Sequence, residues 1–397
     1  MELPTAVQSE QVRQISMVLG KESIEVVTRP GLSNWDRLSP STELLVKYPS
    51  FHPSDTLLLF GCHQAALAVF LARILSGDNL WVTDYDTVAL EMARRTLSIN
   101  QISTVRFLTD IDIPLSLHHK FDAVLIQNPK GRSLARRWLF QAHLALVEGG
   151  SLFIAGSNKS GIQSMIKDAR ELFKNESILA YKKGNRVARC TKKTASESMP
   201  EWTQIPGIAP GTWVEFIVEL SSRTFRIHSL PGVFSHDHLD EGTKMLLSVV
   251  KIPAGARVLD VGCGYGVLGL YAAVEGAGLV HLTDNNLFAV ASSCETLSLN
   301  HITNAEVFAG DLLDPIGMNK YDLILSNPPF HSGHAVDYQI AQAMIRQSFQ
   351  ALNPEGQMII VANRFIRYDN LIKMIFGNVS TLAESGKFHV LSGLKSR

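Results

Sequence analysis

With 397 residues, 46% of them apolar, the chain has room for two well-packed domains and is too hydrophobic to be largely disordered. Lys+Arg 37 balance Asp+Glu 37, so no overall positive field points to nucleic acid, and any such binding must come from a local patch. Four cysteines without a C-x-x-C pair, no apolar run of membrane-spanning length and an opening MELPTAVQSEQVRQ without an apolar signal core argue against a zinc or disulfide framework, a membrane anchor and secretion; a cytoplasmic, metal-free monomer is expected.

Along the chain, the dominant feature is a repeat. RPGLSNWDRLSPSTELL from Arg29 is answered by LPGVFSHDHLDEGTKMLL from Leu230: Pro30, Asp36, Leu38 and Thr42 match Pro231, Asp237, Leu239 and Thr243 at a shift of 201. DTLLLFGCHQAAL from position 55 is answered by GARVLDVGCGYGVL from position 255. WVTDYDTVALEMARRTLSINQIS is answered by VHLTDNNLFAVASSCETLSLNHIT, with Asp84 and Asn100 on Asp284 and Asn300 at a shift of 200. KFDAVLIQNP is answered by KYDLILSNPP, with Asp122 on Asp322. A near-constant shift carrying T-L-S-[IL]-N in register implies a duplicated unit. Each copy alternates short apolar strands with helical stretches, which predicts an α/β fold with a parallel sheet covered on both faces. The copies are expected at 1–190 and 223–397. The linker over 191–222 takes in the end of a basic run, Lys182, Lys183, Arg186, Arg189, Lys192 and Lys193, and is then rich in Ser, Pro and Gly.

In the second copy, ARVLDVG reads as a buried strand, VLGLYAAVEG as a helix ending near Gly276, LVHLTDN as a strand and LFAVASSCETLSLN as a helix. AEVFAGD and YDLILSN read as further strands. A helix follows from about Val336 to Leu352, stopped by Asn353-Pro354, then the strand QMIIVAN and two strands around Ser385-Gly386. Gly262, Gly264 and Gly266 stand where a strand turns into a helix, so the backbone can turn sharply and approach a ligand. The spacing Gly264-x-Gly266-x-x-Gly269, with Asp284 20 residues beyond Gly264, satisfies a dinucleotide fingerprint. Asp260 argues against it, because an acid at the strand end repels a pyrophosphate. The same acid suits the sulfonium and ammonium of S-adenosylmethionine.

YDLILSNPPFHSG ends a greasy strand at Asn327, since proline cannot continue a ladder and the residue before it is held extended. In an open α/β sheet, ligands bind at that end. The Asn327 side-chain oxygen and the Pro328 carbonyl are candidate acceptors for an NH2 group, and Phe330 is a candidate stacking surface for a base. His331 and His334 follow on the same loop, as phosphate contacts or as plain exposed histidines. In the first copy, Phe60 stands against Asp260, GCHQAA against the glycine loop and QNPKG against SNPPF, so Asn128 and Pro129 are kept while Lys130 and Gly131 replace the second proline and the ring. That copy is expected to have lost ligand binding and kept its fold. Arg132, Arg136 and Arg137, on a predicted helix, join Lys182, Lys183, Arg186 and Arg189 as a candidate RNA-phosphate surface, the alternative being a solvated helix face and linker.

The order D-x-G-x-G-x-G, Asp284 after the second strand, Gly310-Asp311 after the third and Asn-Pro-Pro-Phe after the fourth resembles the class I methyltransferase pattern. The tandem of a degenerate and an intact domain, with PGVFSHDHLDEGTKMLL, LDVGCGYGVLG and SNPPFHSG, resembles the bacterial ribosomal RNA guanine-N2 methyltransferases. The resemblance implies two tandem Rossmann-like domains and methyl transfer from S-adenosylmethionine to a guanine 2-amino group in ribosomal RNA. It also implies that Asp260, Gly262, Gly264, Gly266, Asp284, Asp311 and Asn327 serve the cofactor and the reaction, Asp284 on the ribose hydroxyls and Asp311 on the adenine amino group. Asn-Pro-Pro-aromatic also occurs in enzymes methylating adenine N6 and protein glutamine, so those acceptors stay open. A non-catalytic RNA-binding assembly factor is the reading from another class.

Overall fold

The computed structural model describes residues 12–63, 65–193, 198–328 and 335–396. The chain falls into two compact units that part between Trp213 and Val214. The first unit runs β1 (Arg13–Leu19), β2 (Glu22–Thr28), α1 (Pro40–Lys47), β3 (Leu57–Phe60), α2 (Ala66–Ile74), β4 (Leu80–Thr83), α3 (Thr87–Ile99), β5 (Arg106–Leu108), β6 (Phe121–Gln127), α4 (Arg132–Ala145), β7 (Leu146–Ser157), α5 (Ile162–Phe173), β8 (Ser177–Lys182) and β9 (Asn185–Thr191). The second repeats this order with β10 (Val214–Leu220), β11 (Arg223–Ser229), α6 (Glu241–Leu247), β12 (Arg257–Val261), α7 (Val267–Val274), β13 (Leu279–Asp284), α8 (Leu287–Leu299), β14 (Ala305–Ala309), β15 (Tyr321–Ser326), α9 (Ala335–Ala351), β16 (Leu352–Asn363), α10 (Tyr368–Phe376), β17 (Ser380–Glu384) and β18 (Phe388–Leu394).

Each unit holds a seven-stranded sheet, in the order β5-β4-β3-β6-β7-β9-β8 and β14-β13-β12-β15-β16-β18-β17. Pairing is parallel except at β7–β9, β8–β9, β16–β18 and β17–β18. Strands buried on both faces explain the unbroken apolar runs, such as β3, whose four residues are all buried. The winding reverses between β12 and β15, and a crevice opens at the carboxyl ends of strands at such a point. Asp260 on β12 pairs with Leu325 on β15, which brings the glycine loop after β12 beside Asn327 after β15.

Two features were not anticipated. A two-stranded hairpin, β1–β2 or β10–β11, precedes each sheet. The repeated T-L-S-x-N signature fastens it: the Thr96 hydroxyl donates to Val27 O (3.1 Å) and accepts from Val27 N (2.9 Å), while Thr296 does the same with His228 (3.1 and 3.2 Å). Asn100 and Asn300 donate to Glu25 O and Arg226 O. A hairpin edge that would otherwise show unpaired backbone groups is thereby satisfied. The described residues within 191–222 are also structured. They carry a 3-10 turn, Glu201–Gln204, with Trp202 buried, and then β10, whose seven residues all pair with β11. Apolar anchors among Ser, Pro and Gly made the stretch read as a linker.

Candidate active site

The site in the second unit is built from backbone first. Gly262, Gly264 and Gly266 all have positive φ (72°, 58° and 83°). Only glycine holds that path without strain. No described atom lies within 4 Å of where a Gly262 Cβ would stand, and only Val233 comes near Gly264, at 3.8 Å. At Gly266 and Gly269 packing adds a further demand for glycine: a Cβ would meet Ser293 Oγ at 2.9 Å and Leu282 Cδ2 at 2.4 Å.

Three carboxyls frame this loop. Asp260 is fully buried, and its Oδ2 accepts the Gly269 N–H in the first turn of α7 at 3.0 Å. Burial pushes its carboxyl up to about 7, against the lowering effect of that hydrogen bond, with the nearby Asp284 adding to the rise. Its Oδ1 has no hydrogen-bond partner among the described residues. Asp284, at the end of β13, accepts the Gly264 N–H (2.9 Å) on one oxygen and the Asn286 N–H (2.9 Å) on the other. Burial raises it to about 6, opposed by these backbone donors. The α8 N-cap is Asn286, which accepts the Phe288 N–H, so Asp284 itself is not a cap. Asp311 follows Gly310, whose N–H donates to Asp284 O at 2.9 Å, and this places the third acid beside the second.

Asn327 sits one residue past β15. Its Nδ2 donates to Asp240 Oδ2 (3.0 Å) and Thr243 Oγ1 (2.7 Å), and its Oδ1 is buried without a partner among the described residues. A carboxylate only accepts, so the group facing Asp240 must be the NH2. Pro328 is buried beside it. Phe330 and His331 lie outside the described residues, as does His334. S-adenosylmethionine fits this set: bare backbone for close approach, and buried acids for a cation.

The model of the Methyltransferase small domain matches residues 23–189 and again 224–392. The chain belongs to that family. The ribosomal RNA small subunit methyltransferase C of Chromohalobacter salexigens is 35% identical over 277 residues, covering 68% of this chain and 77% of that protein. Its counterpart in Pseudomonas putida is 36% identical over 275 residues, covering 68% and 78%. A solved T. thermophilus 16S rRNA N2 methyltransferase, in complex with AdoMet and guanosine, aligns with a TM-score of 0.79 at 25% identity over 97% of this chain and 98% of that one.

Of the two methyltransferase small domains, the first shows how the same fold closes its pocket. Strand register corrects the sequence alignment by one residue. Leu59 pairs with Val82 and Leu125 as Asp260 pairs with Leu282 and Leu325, so Asp260 is matched by Leu59 and not by Phe60. Asn327, one residue past β15, is then matched by Gln127, the last residue of β6, and not by Asn128. His63 and Ala65 keep the positive φ of Gly264 and Gly266 (47° and 64°), a strain of about 1–2 kcal/mol per residue. A Cβ on Gly61 would lie 3.6 Å from the Trp138 ring, where Gly262 has open space. Trp138 is buried, 5.4 Å from the Phe60 ring and 5.9 Å from the Tyr85 ring. The Trp138 ring thus stands against the loop, with Phe60 and Tyr85 packed on it. Asp84 nevertheless bonds its loop much as Asp284 does, accepting the Asp86 N–H and the Cys62 N–H, one residue before the counterpart of Gly264.

The candidate basic surface divides. Arg137 is fully buried: its guanidinium bonds Asp112 Oδ1 (2.6 Å), Ile111 O and Gly207 O, so it faces no phosphate. Arg136 is mostly covered, paired with the buried Asp168 and stacked on Trp202. Arg132 is half exposed and also grips Asp168. Lys192 is buried on His143 O and Leu146 O, with burial lowering it to about 8. A helix that looks basic in sequence thus spends its arginines on internal acids. Lys182, Lys183 and Arg189 are exposed, and Arg186 stacks on the exposed Tyr181 at 4.8 Å. Sequence reading missed Asp240 and Thr243 as partners of Asn327, although the match of Thr243 with Thr42 was visible.

Proposed function

We propose that this chain transfers a methyl group from S-adenosylmethionine to the N2 amino group of a guanine in small-subunit ribosomal RNA. The observation that carries the chemistry is the Asn327 amide, held by its nitrogen so that a buried oxygen is left to accept a hydrogen bond. An exocyclic amine is a poor nucleophile because its lone pair is conjugated into the ring. Asn327 Oδ1 accepts one of its N–H bonds, and the Pro328 carbonyl accepts the other, which fixes the nitrogen and favours a tetrahedral geometry. The cofactor supplies an electrophilic methyl carbon on a sulfonium. As the nitrogen–carbon bond forms, the methyl carbon–sulfur bond breaks and its electron pair stays on sulfur, leaving a neutral thioether and a cationic amine, whose proton passes to solvent. Asp260 and the backbone of Gly262, Gly264 and Gly266 receive the methionine end. Asp284 retains lone pairs for the ribose hydroxyls beyond the two backbone bonds it accepts, and Asp311 takes the adenine amino group. Phe330 stacks on the base. The exposed Lys182, Lys183, Arg186 and Arg189 are the first unit's candidates for phosphate contact, and His331 is one in the second.

The test is methyl transfer from labelled S-adenosylmethionine to ribosomal RNA and to each subunit from methylation-deficient cells, wild type beside Asn327→Ala, with nucleoside analysis. N2-methylguanosine that falls by about 100-fold or more in the variant is expected, a loss typical of removing an oriented hydrogen-bonding group at a reacting centre. N6-methyladenosine, or label on protein alone, overturns the guanine assignment.

A further inference from the structure

We infer that Asp240 is a positioning residue for methyl transfer, setting which end of the Asn327 amide faces the acceptor base. The inference rests on the proposed role of Asn327. An amide has two ends of similar shape and opposite hydrogen-bonding sense, and only a neighbour of fixed sense can choose between them. Asp240 Oδ2 accepts Asn327 Nδ2 at 3.0 Å while also capping α6 through the Thr243 N–H at 3.0 Å. The Thr243 hydroxyl lies 3.5 Å from the same carboxylate oxygen and accepts the second Asn327 hydrogen at 2.7 Å. The carboxylate therefore orients Asn327 directly, and through Thr243 as well. Gly242 lets it sit there, since a Cβ at 242 would lie 3.0 Å from Asp240 Oδ2 and 3.4 Å from Phe388.

The first unit provides the comparison within one chain. Ser39 caps α1 at the position of Asp240, and Ser41 replaces Gly242. With no acid present, the Thr42 hydroxyl donates to Gln127 Oε1 (3.0 Å), and Gln127 Nε2 donates to Gly61 O (3.2 Å). The amide has turned round and both of its ends are bound. Ser39 is as good a helix cap as aspartate. The difference between the two copies thus separates the capping role of residue 240 from its orienting role.

The experiment compares Asp240→Ser, Asp240→Asn and Asn327→Ala in the full chain, measuring kcat and KM on small subunits from methylation-deficient cells, cofactor affinity and thermal midpoint. Asp240→Ser keeps the cap and is expected to lower kcat at least tenfold, with cofactor affinity within about twofold and the midpoint little changed. Asp240→Asn offers one oxygen where Asp240 Oδ2 stands and is expected to restore kcat to within about threefold of wild type. An unchanged kcat in Asp240→Ser, beside an inactive Asn327→Ala, overturns the orienting role alone. An active Asn327→Ala overturns the reading of Asn327 on which it rests. Parallel losses of midpoint, cofactor affinity and kcat in both Asp240 variants, each of which keeps a helix cap, make residue 240 a general support of the second unit instead of an orienting group and also overturn it.

Discussion

A carboxyl buried like that of Asp260 is costly to ionise, and the cost has a pH signature. Its folded value, raised to about 7, lies above the unfolded carboxylate range, so the fold favours the protonated form. That contribution to stability is full below the unfolded value and is lost as pH rises towards 7. Asp260→Asn removes the charge while keeping an acceptor for the Gly269 N–H. It is expected to raise the unfolding midpoint at pH 8 by the equivalent of about 1 kcal/mol or more, with little effect near pH 4, as scanning calorimetry would show. Cofactor binding should fall in the same variant. In the wild type, a cationic cofactor favours the ionised forms of Asp260 and Asp284, whose values are about 7 and 6. Affinity should therefore climb between pH 5.5 and 7.5, with protons released on binding; calorimetric titrations in two buffers of different ionisation heat would detect them. A flat profile would separate these acids from the cofactor.

At the scale of elements, the glycines around α7 do different jobs, and substitution should tell them apart. Gly262→Ala meets no described atom and costs about 1–2 kcal/mol for its left-handed backbone, so its main effect should be on cofactor affinity. Gly269→Ala drives a methyl group into Leu282, and overpacking of this kind costs about 1–3 kcal/mol. Urea unfolding and cofactor titration on both variants would show opposite rankings. The hairpins depend on the threonines that fasten them. Thr96→Val leaves Val27 N–H and C=O without their partner, a penalty of about 1–3 kcal/mol. All five tryptophans lie in the first unit, so their fluorescence should show this lower midpoint directly.

At the scale of the whole molecule, one fold is present twice, once open over its loop and once with Trp138 against it. The chain should therefore bind one cofactor, not two. Equilibrium dialysis with labelled S-adenosylmethionine would give a stoichiometry near one, and Asp260→Asn should abolish most of it. A second site of similar affinity would mean that the first unit can clear its aromatic rings from the loop. Duplication left the supporting carboxylate in place, since Asp84 still holds the loop much as Asp284 does. What diverged is the set of side chains over it.

The sequence by itself determined the duplication, the strand–helix order, the glycine loop and the asparagine at the end of β15. Periodicity, turn residues and proline stops are local, and local rules set them. It also placed Asp260, Asp284 and Asp311 at strand ends, where an α/β sheet gathers its ligands. Tertiary structure alone decided the rest. A strand can slip by one residue in an alignment at no cost, but its hydrogen-bonded register cannot, and the register moved the counterparts of Asp260 and Asn327 to Leu59 and Gln127. A run of arginines reads as a charged face until the acids it meets are known, and Arg137 proved to be buried on Asp112. The amide of Asn327 has no sense of direction in a sequence. It acquires one only when the fold brings Asp240, 87 residues earlier in the chain, to its nitrogen.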